Sequence, residues 1–451
     1  MDINQILALS IFIIMFVFII LDKWHRCLTA LVAAIAVIGV VFLGAMHDWQ
    51  VVLDVFNLRS MLQGSFWLSK QGGHALHSGI NWQTIIFITG MMIMAERLAS
   101  TGLFRWMCLY MARLVKCNVP YILVAFILLS GLLSMFIDSI TVLLFLTATT
   151  VELSRLLKFN PIPMILAEIF ASNVGGLATM SGDPPNIIIG TSFGYSFSDF
   201  LVNTGPIAIV SLLISALFFF CIFRKELRSG DREENYKSCP YPASAISNLP
   251  GFISSVIIFL VVIILLITHE YSGLSVALIG IIAALLSLCS AGKTGLKLMR
   301  RLDWRTLLFF VSLFIVVGGL EQTGVLEKLA SLISNVSGGN LVLVISMILW
   351  ISALASSLVD NIPFTATMVP VIRDLAEMQG LDLSTMSWAL ALGTNNGGNA
   401  TPIGASSNVV GTAIAEKSGH PIKWGYYMKY SIPASLFVLG LCQFYLLWRY
   451  A

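Results

Sequence analysis

The sequence predicts an all-α polytopic membrane protein made of two inverted repeats, each with five transmembrane helices and one re-entrant hairpin, and with broken helices at mid-membrane. Composition, the spacing of apolar segments and an internal duplication predict this fold. Of the 451 residues, 57% are hydrophobic and 11% are charged, whereas a soluble domain carries about a quarter charged residues. Such a chain has too little polar surface for a soluble enzyme, a secreted disulfide scaffold or a disordered protein.

The charge and cysteine content exclude further classes. The formal net charge is +3, which is too small for a nucleic-acid-binding protein, so no nucleic-acid partner is predicted. The seven cysteines form no Cys-x-x-Cys pair and lie mostly in apolar segments. We interpret them as reduced packing residues and not as a disulfide framework or a zinc site, and no cofactor is predicted.

Eight segments are apolar enough to span a membrane, which takes about 20 residues. The first is followed by Lys23 and Arg26 and preceded by no positive charge, so it is predicted to be an anchor, with the N-terminus outside, and not a cleaved signal peptide. The eight segments are Ile6–Leu21, Leu28–Ala45, Thr84–Met94, Pro206–Phe223, Phe252–Thr268, Leu274–Ala291, Thr306–Leu320 and Tyr430–Trp448.

Positive charges in the loops predict one orientation in the cell membrane, because basic loops stay on the cytoplasmic side. The loops 191–204 and 269–272 contain neither Lys nor Arg and are predicted to lie outside. The loops predicted to be cytoplasmic contain Lys23 and Arg26; Arg97, Arg105, Arg113 and Lys116; Arg155 and Lys158; residues 224–237; Lys293, Lys297, Arg300, Arg301 and Arg305; and Lys417 and Lys423.

Four further apolar regions are interrupted halfway by polar, Gly and Pro residues. By the loop charges, the first region of each half begins and ends on one side, which predicts a re-entrant hairpin, and the second is a broken span. The regions are Pro120–Leu157, broken near Asp138; Pro161–Ser198, broken between Asn173 and Asn186; Leu341–Met378, broken near Asp360; and Leu383–Lys417, broken between Thr394 and Asn408.

The two halves of the chain repeat each other. Asp138 and Asp360 are 222 positions apart, and chance similarity between apolar helices would scatter such offsets. Five spans per half is an odd number, so the second half enters the membrane in the opposite orientation, as in secondary transporters. The predicted units are residues 1–224, a cytoplasmic linker over 225–249, and residues 250–451. The same offset relates Trp82/Trp304, Thr101/Thr323, Asn173/Asn395, Gly175/Gly397, Thr179/Thr401, Gly182/Gly404 and Asn186/Asn408.

The four breaks predict one shared polar cavity, since lipid does not accept unpaired backbone. Half-helix N-termini would offer positive partial charge there, and hydroxyl and carbonyl oxygens would offer ligands for a hard cation. An aspartate at mid-membrane usually marks an ion or proton path; the alternative is that each aspartate only caps a hairpin arm. The predicted ion- or proton-binding residues are Asp138, Ser139, Thr141, Asp360 and Asn361.

A second set of residues around the breaks is predicted to bind the substrate or ion. Within it, Asp183 is interpreted first as an N-cap ahead of Pro184, and the glycines permit close backbone approach. The set is Asn173, Gly175, Gly176, Thr179, Asp183, Asn186, Asn395, Gly397, Gly398, Asn399, Thr401, Ser406, Ser407 and Asn408. Outside it, Glu168 is either a proton relay or an exposed helix end, Glu96 and Glu321 are expected to be solvated, and His74 and His77 are a weak metal candidate.

Four motifs at the breaks resemble the ion transporter superfamily, in the branch of arsenite permeases, the melanosomal P-protein and D-type sodium–proton antiporters, which is related to the divalent anion:sodium symporters. The resemblance covers nearly the whole chain and implies a homodimer, with a scaffold region and a mobile transport region that moves like an elevator. The motifs are Phe136–Thr141, Asn173–Asn186, Val359–Pro370 and Gly397–Asn408.

The predicted function is a secondary active transporter that couples H+ or Na+ to a small inorganic ion such as arsenite or Na+. The alternative is Na+-coupled uptake of a dicarboxylate or other divalent anion. Two tip aspartates, Asp138 and Asp360, would repel a dicarboxylate unless cations or protons neutralised them. An intramembrane aspartyl protease is disfavoured because the Gly-x-Gly-Asp motif is absent, and a passive channel is the remaining alternative. The chain is not predicted to be an enzyme.

Overall fold

The computed structural model describes residues 2–21, 24–68, 79–227 and 236–451. Within these ranges the chain is helical and contains no β-strand, apart from one isolated bridge between Leu68 and Leu274. The predicted all-α class is therefore confirmed. His74, His77, Lys23 and part of the linker lie outside the described residues.

The first half contains twelve described helices, and the second contains ten. Those of the first half are α1 Ile3–Leu21, α2 Arg26–Ala36 with a π-helical continuation Val37–Ala45, α3 Trp49–Phe56, α4 Gly64–Trp67, α5 Trp82–Ser100, α6 Leu103–Leu114, α7 Val119–Ser134, α8 Ser139–Leu157, α9 Ile162–Gly176, α10 Pro184–Phe193, α11 Phe197–Asn203 and α12 Gly205–Phe223. Those of the second half are α13 Leu249–Ser272, α14 Val276–Ala291, α15 Gly295–Arg301, α16 Trp304–Gln322, α17 Val325–Ser337, α18 Leu341–Leu358, α19 Asn361–Gln379, α20 Leu383–Gly398, α21 Ser406–Lys417 and α22 Trp424–Tyr450. Short 3-10 turns cover Leu58–Leu62, Pro242–Ala245 and Gly292–Thr294.

The membrane character of the fold is confirmed. In the described ranges, nine helices are long and apolar enough to cross a membrane, or ten if α5 and α6, which meet at a bend of 58°, form one span. Each of the eight apolar segments predicted from the sequence coincides with such a helix or with the first arm of the bent pair. Which membrane the chain occupies and the side of its N-terminus stay predictions.

Each of the four interrupted regions is broken where the sequence predicts. Helix α7 ends before Asp138 and α8 starts after it, and α18 and α19 are related in the same way to Asp360. Helix α9 ends at Gly176 and α10 starts at Pro184, while α20 ends at Gly398 and α21 starts at Ser406. Polar and Gly-rich sequence therefore ends these helices, because it supplies neither apolar packing nor good helix propensity.

The two halves interlock. Helix α2 of the first half packs against α16 of the second, and α14 of the second packs against α5 of the first. At the second contact the backbones touch, because a Cβ on Gly90 would lie 2.0 Å from the Gly280 carbonyl oxygen. Neither half buries its own apolar helices alone.

The internal duplication is visible as repeated contacts. Helix α7 packs on α9, and α18 packs on α20 in the second half. A Cβ on Gly175 would lie 2.1 Å from the Gly131 carbonyl oxygen, and a Cβ on Gly397 would lie 2.2 Å from that of Ala353. Both members of each contact are offset by 222 positions, so the two halves use the same packing device. The inverted orientation of the halves and the re-entrant course of the hairpins stay predictions.

The interpretation of all cysteines as reduced is wrong for one pair. Cys117, between α6 and α7, is bonded to Cys239 of the linker, 122 residues later. The linker is held there also by Arg113, whose Nη2 donates to the Cys239 carbonyl at 3.1 Å and whose guanidinium lies over the Tyr241 ring. Spacing along the sequence gave no sign of this contact, because it forms only when the linker folds back onto α6. Cys27, Cys108, Cys221, Cys289 and Cys442 are free.

Candidate functional site

Four helices begin at one place in the structure. These are α8 and α10 of the first half and α19 and α21 of the second, each the second segment of a broken region. Their free N–H groups and dipoles favour negative charge. Asp138, Asp183 and Asp360 stand at the N-cap positions of α8, α10 and α19, whereas Ala405 stands at that of α21. Three of the four N-termini thus face a carboxylate.

Asp183 joins the two hairpin tips. Its Oδ1 accepts a hydrogen bond from Ser139 Oγ at 2.9 Å, and its Oδ2 accepts one from Asn361 Nδ2 at 2.9 Å. Ser139 and Asn361 are repeat-related, so this carboxylate lies between equivalent residues of the two halves. Asp183 stands at the predicted N-cap position ahead of Pro184, but its side chain makes no hydrogen bond to the start of α10.

The first tip leaves part of its carboxylate free. Asp138 Oδ2 accepts from the backbone N–H of Thr141 at 3.3 Å, and the Thr141 hydroxyl lies 3.5 Å away. The other oxygen, Oδ1, is buried and has no hydrogen-bond partner. A buried charged oxygen without a partner is costly. The atom therefore suits a ligand, in particular a proton or a cation.

The second tip is fully partnered. Asp360 accepts from the backbone N–H of Ile362 at 3.2 Å and from Ser406 Oγ at 2.5 Å, and it forms an ion pair with Arg26. The Asp360 side chain is 1% exposed and that of Arg26 is 21% exposed. Sequence reasoning assigned Arg26 to a basic loop and missed this role, since 334 residues separate the partners.

A set of asparagines links the two broken spans across the repeat. Asn173 Nδ2 donates to Asn408 Oδ1 at 2.8 Å, and the equivalent Asn395 Nδ2 donates to Asn186 Oδ1 at 2.9 Å. All four side chains are buried. The bonds are reciprocal, so the constant offset seen in the sequence becomes a pair of matching contacts between the halves.

One of these asparagines, Asn173, makes two further hydrogen bonds with residues that follow α20. Asn173 also donates to Asn399 Oδ1 at 2.8 Å and accepts from Ser407 Oγ at 2.6 Å. The Nδ2 group of Asn399 is buried without a partner. This group is a hydrogen-bond donor near the site, complementary to the free acceptor on Asp138.

Other predicted contact residues donate hydrogen bonds to backbone carbonyls at the two breaks. Asn186 Nδ2 donates to the carbonyls of Gly176 and Thr179, at 3.0 and 2.9 Å. Asn408 Nδ2 does the same to Gly398 and Thr401, at 2.7 and 2.8 Å. The Thr179 hydroxyl donates to the Met135 carbonyl, and the Thr401 hydroxyl to the Ser357 carbonyl. These side chains shape the two breaks.

Three acidic residues outside the tips are also placed. Glu168 is fully buried, so its interpretation as an exposed helix end is wrong; Oε1 accepts from the Thr150 hydroxyl and Oε2 has no partner. Glu321 forms an ion pair with Arg373 at 2.6 Å with its side chain 16% exposed, so the expectation that it is solvated is wrong. Glu96 pairs with Arg301 at 3.2 Å, with its side chain 22% exposed.

The site is therefore rich in oxygen atoms, and its acidic groups outnumber its basic ones. Asp138, Asp183 and Asp360 contribute three carboxylates, and among the residues that the structure describes Arg26 alone forms an ion pair with any of them. In the same part of the chain no three His, Cys, Asp or Glu residues are gathered closely enough to hold a metal ion. A small cation would therefore meet at most two carboxylates, together with hydroxyl and amide oxygens.

Comparison with known proteins shows which families and relatives the chain resembles. The family model described as a citrate transporter, CitMHS, matches residues 16–393. An uncharacterized transporter of Mycobacterium bovis is 31% identical over 448 residues, which is 99% of both chains. The P protein of Mus musculus is 27% identical over 521 residues, covering 96% of this chain and 59% of the mouse protein.

One solved structure resembles the fold. The YdaH transporter of Alcanivorax borkumensis superposes with a TM-score of 0.51 at 16% sequence identity, over 89% of this chain and 98% of that one. At this identity the likeness concerns the arrangement of helices alone.

Proposed function

The chain belongs to the CitMHS citrate transporter family and is a secondary transporter, and on that premise we propose that it couples H+ or Na+ to the movement of a small ion. The coupling cation binds at the hairpin tips, first at Asp138. The proposed substrates are arsenite, Na+ itself, or a small anion that crosses with neutralising cations. Movement is by an elevator-like alternating access of the helices that carry the two tips.

The buried, unpartnered Oδ1 of Asp138 is the observation that carries this proposal. The carboxylate lies at the N-terminus of the half helix α8, with its other oxygen, Oδ2, 3.5 Å from the Thr141 hydroxyl, and the next residue, Ser139, donates to Asp183. A carboxylate in a membrane protein that lacks a protein partner usually marks an ion or proton path. Binding a cation or a proton would supply the missing partner.

The charge of the site restricts how an anion could be carried. The family description names citrate, a tricarboxylate, and the site contains three carboxylates of its own. Like charges at close range in a medium of low dielectric constant repel strongly. Citrate would therefore enter together with protons or a metal cation, and a free dicarboxylate carried by Na+ is the less favoured alternative. The donor Nδ2 of Asn399 is the group best placed to contact an anionic oxygen.

Flux into proteoliposomes tests the proposal. Sodium and proton gradients are imposed separately, and uptake of arsenite, Na+, citrate with and without a divalent cation, and succinate is measured. We expect at least one gradient to drive uptake and Asp138→Asn to abolish that uptake while the variant still elutes as folded protein. Full cation-driven uptake by Asp138→Asn would overturn the assignment of Asp138.

Asp382→Asn is the matched control. Asp382 also caps a helix, because it accepts from the backbone N–H of Thr385 at 3.0 Å, but it is exposed at the start of α20. We expect this variant to transport like the wild type. If both variants lost uptake equally, the loss would report helix capping instead of ion binding.

The proposal also includes a homodimer and an N-terminus on the outside of the membrane. Cross-linking tests the homodimer, and labelling of the N-terminus tests its side.

A further inference from the structure

Arg26 has a place in the site that the proposed function does not use. It is the first residue of α2, a helix that packs on α1 and α16. Its guanidinium pairs with Asp360 and lies 3.4 Å from Ser406 Oγ, which itself donates to Asp360. The cation thus comes from a helix that is not one of the four broken regions, and it contacts two of them.

The repeat-related aspartate shows that the fold does not require this arginine. Asp138 caps α8 as Asp360 caps α19, and within the described ranges Asp138 forms no ion pair. Capping a helix alone therefore does not explain Arg26. A guanidinium placed on a carboxylate of an ion-binding site occupies the position that a coupling cation would take.

A second ion pair joins the same helix, α19, to α16, the helix on which α2 packs. Arg373 of α19 pairs with Glu321 of α16 at 2.6 Å. Residues 360 and 373 are about 20 Å apart along a helix that rises 1.5 Å per residue. The two pairs have opposite polarity, with the negative partner on α19 at one end and the positive partner on α19 at the other. The first pair joins α19 to α2 and the second joins it to α16; because α2 packs on α16, movement of α19 past these two helices breaks both pairs.

Resting on the proposed function, we propose that Arg26 is an internal counter-ion which holds the empty transporter in this register. A coupling cation that binds Asp360 displaces the guanidinium and frees α19 to move along α16. In the absence of the cation, movement would leave Asp360 and Arg26 each without a charge partner, which is costly in a membrane interior. The pair therefore ties movement of the helix to occupancy by a cation.

The position of α19 along α16 can be measured by cross-linking at the positions of the second ion pair, Glu321 and Arg373. This leaves the Arg26–Asp360 pair unchanged. Cysteines replace Glu321 and Arg373, and the rate of disulfide formation across them is followed by mass spectrometry of the joined peptides. With Arg26 intact, we expect fast cross-linking without Na+ at neutral pH and slower cross-linking after Na+ is added or the pH is lowered. With Arg26→Gln, we expect slow cross-linking under all these conditions. Cross-linking that is unaffected by both the cation and the substitution would overturn the proposal.

Transport by the Arg26→Gln variant is a second test of the proposal. We expect the half-saturating concentration of the driving cation to fall about tenfold, because a competitor has been removed from its site. Arg26→Lys keeps the charge and should behave like the wild type; if it behaves like Arg26→Gln, charge competition is refuted. A higher KM for an anionic substrate with unchanged cation dependence would also refute it and make Arg26 a substrate ligand.

Glu321→Gln is the matched control. It breaks an ion pair to the same helix without removing a competitor from Asp360, so the half-saturating concentration of the driving cation should not fall as it does for Arg26→Gln. Three other charged groups lie near the Arg26–Asp360 pair and have to be considered when the pH is lowered. Asp183 faces Asp360, and Asp303 and Arg305 face Cys27, the residue after Arg26. If no cation drives transport in the wild type, the proposed function fails, whereas the cross-linking result still decides whether Arg26 holds the register.

Discussion

The two hairpin tips have the same backbone and different electrostatics. Asp138 and Asp360 are 222 positions apart, and each caps the helix that follows it. Asp360 is saturated by Arg26, Ser406 and a backbone N–H, whereas one oxygen of Asp138 is buried without a partner. Duplication thus preserved the turn, whereas Arg26 and Ser406, which stands where the first half has Pro184, distinguish the two carboxylates.

This difference teaches that repeat symmetry alone does not assign equal roles. The asparagine contacts and the glycine contacts match across the halves, and they shape the site. The charges do not match: Asp183 has Ala405 as its counterpart, and the ion pair with Arg26 exists on one side. Shape is therefore symmetric while ion binding is expected to be asymmetric.

The largest expected effect comes from the tip aspartates. Asp138→Asn should raise the half-saturating concentration of the coupling cation at least about 100-fold, because a buried charged contact contributes about 3 kcal/mol. Asp360→Asn should also impair uptake, since it leaves Arg26 unpaired, but adding Arg26→Gln should restore part of it. Adding Arg26→Gln to Asp138→Asn should restore nothing. Proteoliposome flux measures all four variants, and equal rescue of both aspartates would remove the distinction between the tips.

A smaller effect, equal in the two halves, is expected from the close backbone contacts. Gly175→Ala and Gly397→Ala would each place a methyl group within 2.1 and 2.2 Å of a carbonyl oxygen. Overpacking of this kind costs about 1 to 3 kcal/mol. Thermal unfolding in detergent should therefore occur at a lower temperature for both variants. Gly440→Ala, where no atom lies within 4 Å, is the control and should not be destabilised; a large difference between the two site variants would break the structural symmetry.

The threonines at the breaks should give a still smaller and equal effect. Thr179→Val and Thr401→Val each remove one hydroxyl that donates to a backbone carbonyl. The loss of such a bond costs about 1 kcal/mol. We expect a modest, matching decrease in thermal stability and an unchanged cation dependence of transport. A change in cation dependence would show that these hydroxyls contact the ion, as the sequence predicted.

The smallest effect is expected at an aspartate that only caps. Although partial burial raises the pKa of Asp382, hydrogen bonds from Ser384 and Thr385 hold that pKa below its usual value of 3.8. Because the folded-state pKa is depressed, the stabilisation is present above the unfolded value and is lost as the pH falls below about 4. Asp382→Asn should therefore flatten the acid limb of a thermal-stability profile and leave transport unaffected. A transport defect would show that capping alone matters at the tips too.

Much of the site was predictable because its residues repeat at one offset. The helix breaks and the clustering of Asp138, Asp183, Asp360 and the asparagines follow from polar residues in apolar regions. The direction in which each side chain points does not follow. The Asp183 side chain bonds across to both tips and not to the start of α10, and Thr179 and Asn186 donate to backbone carbonyls. These contacts could not be predicted from the sequence, because the spacing of residues along the chain does not show which distant hydrogen-bond partner lies nearest.

By itself the sequence determined the membrane class, the helices with their breaks and the duplication, because these depend on hydrophobicity and local propensity read along the chain. Only the tertiary structure decided the partners: Arg26 on Asp360, Glu321 on Arg373, the burial of Glu168, and the bond between Cys117 and Cys239. Except for Glu168, each joins residues 52 or more positions apart. Such contacts depend on how helices pack in three dimensions, and electrostatics at the site depends on those contacts.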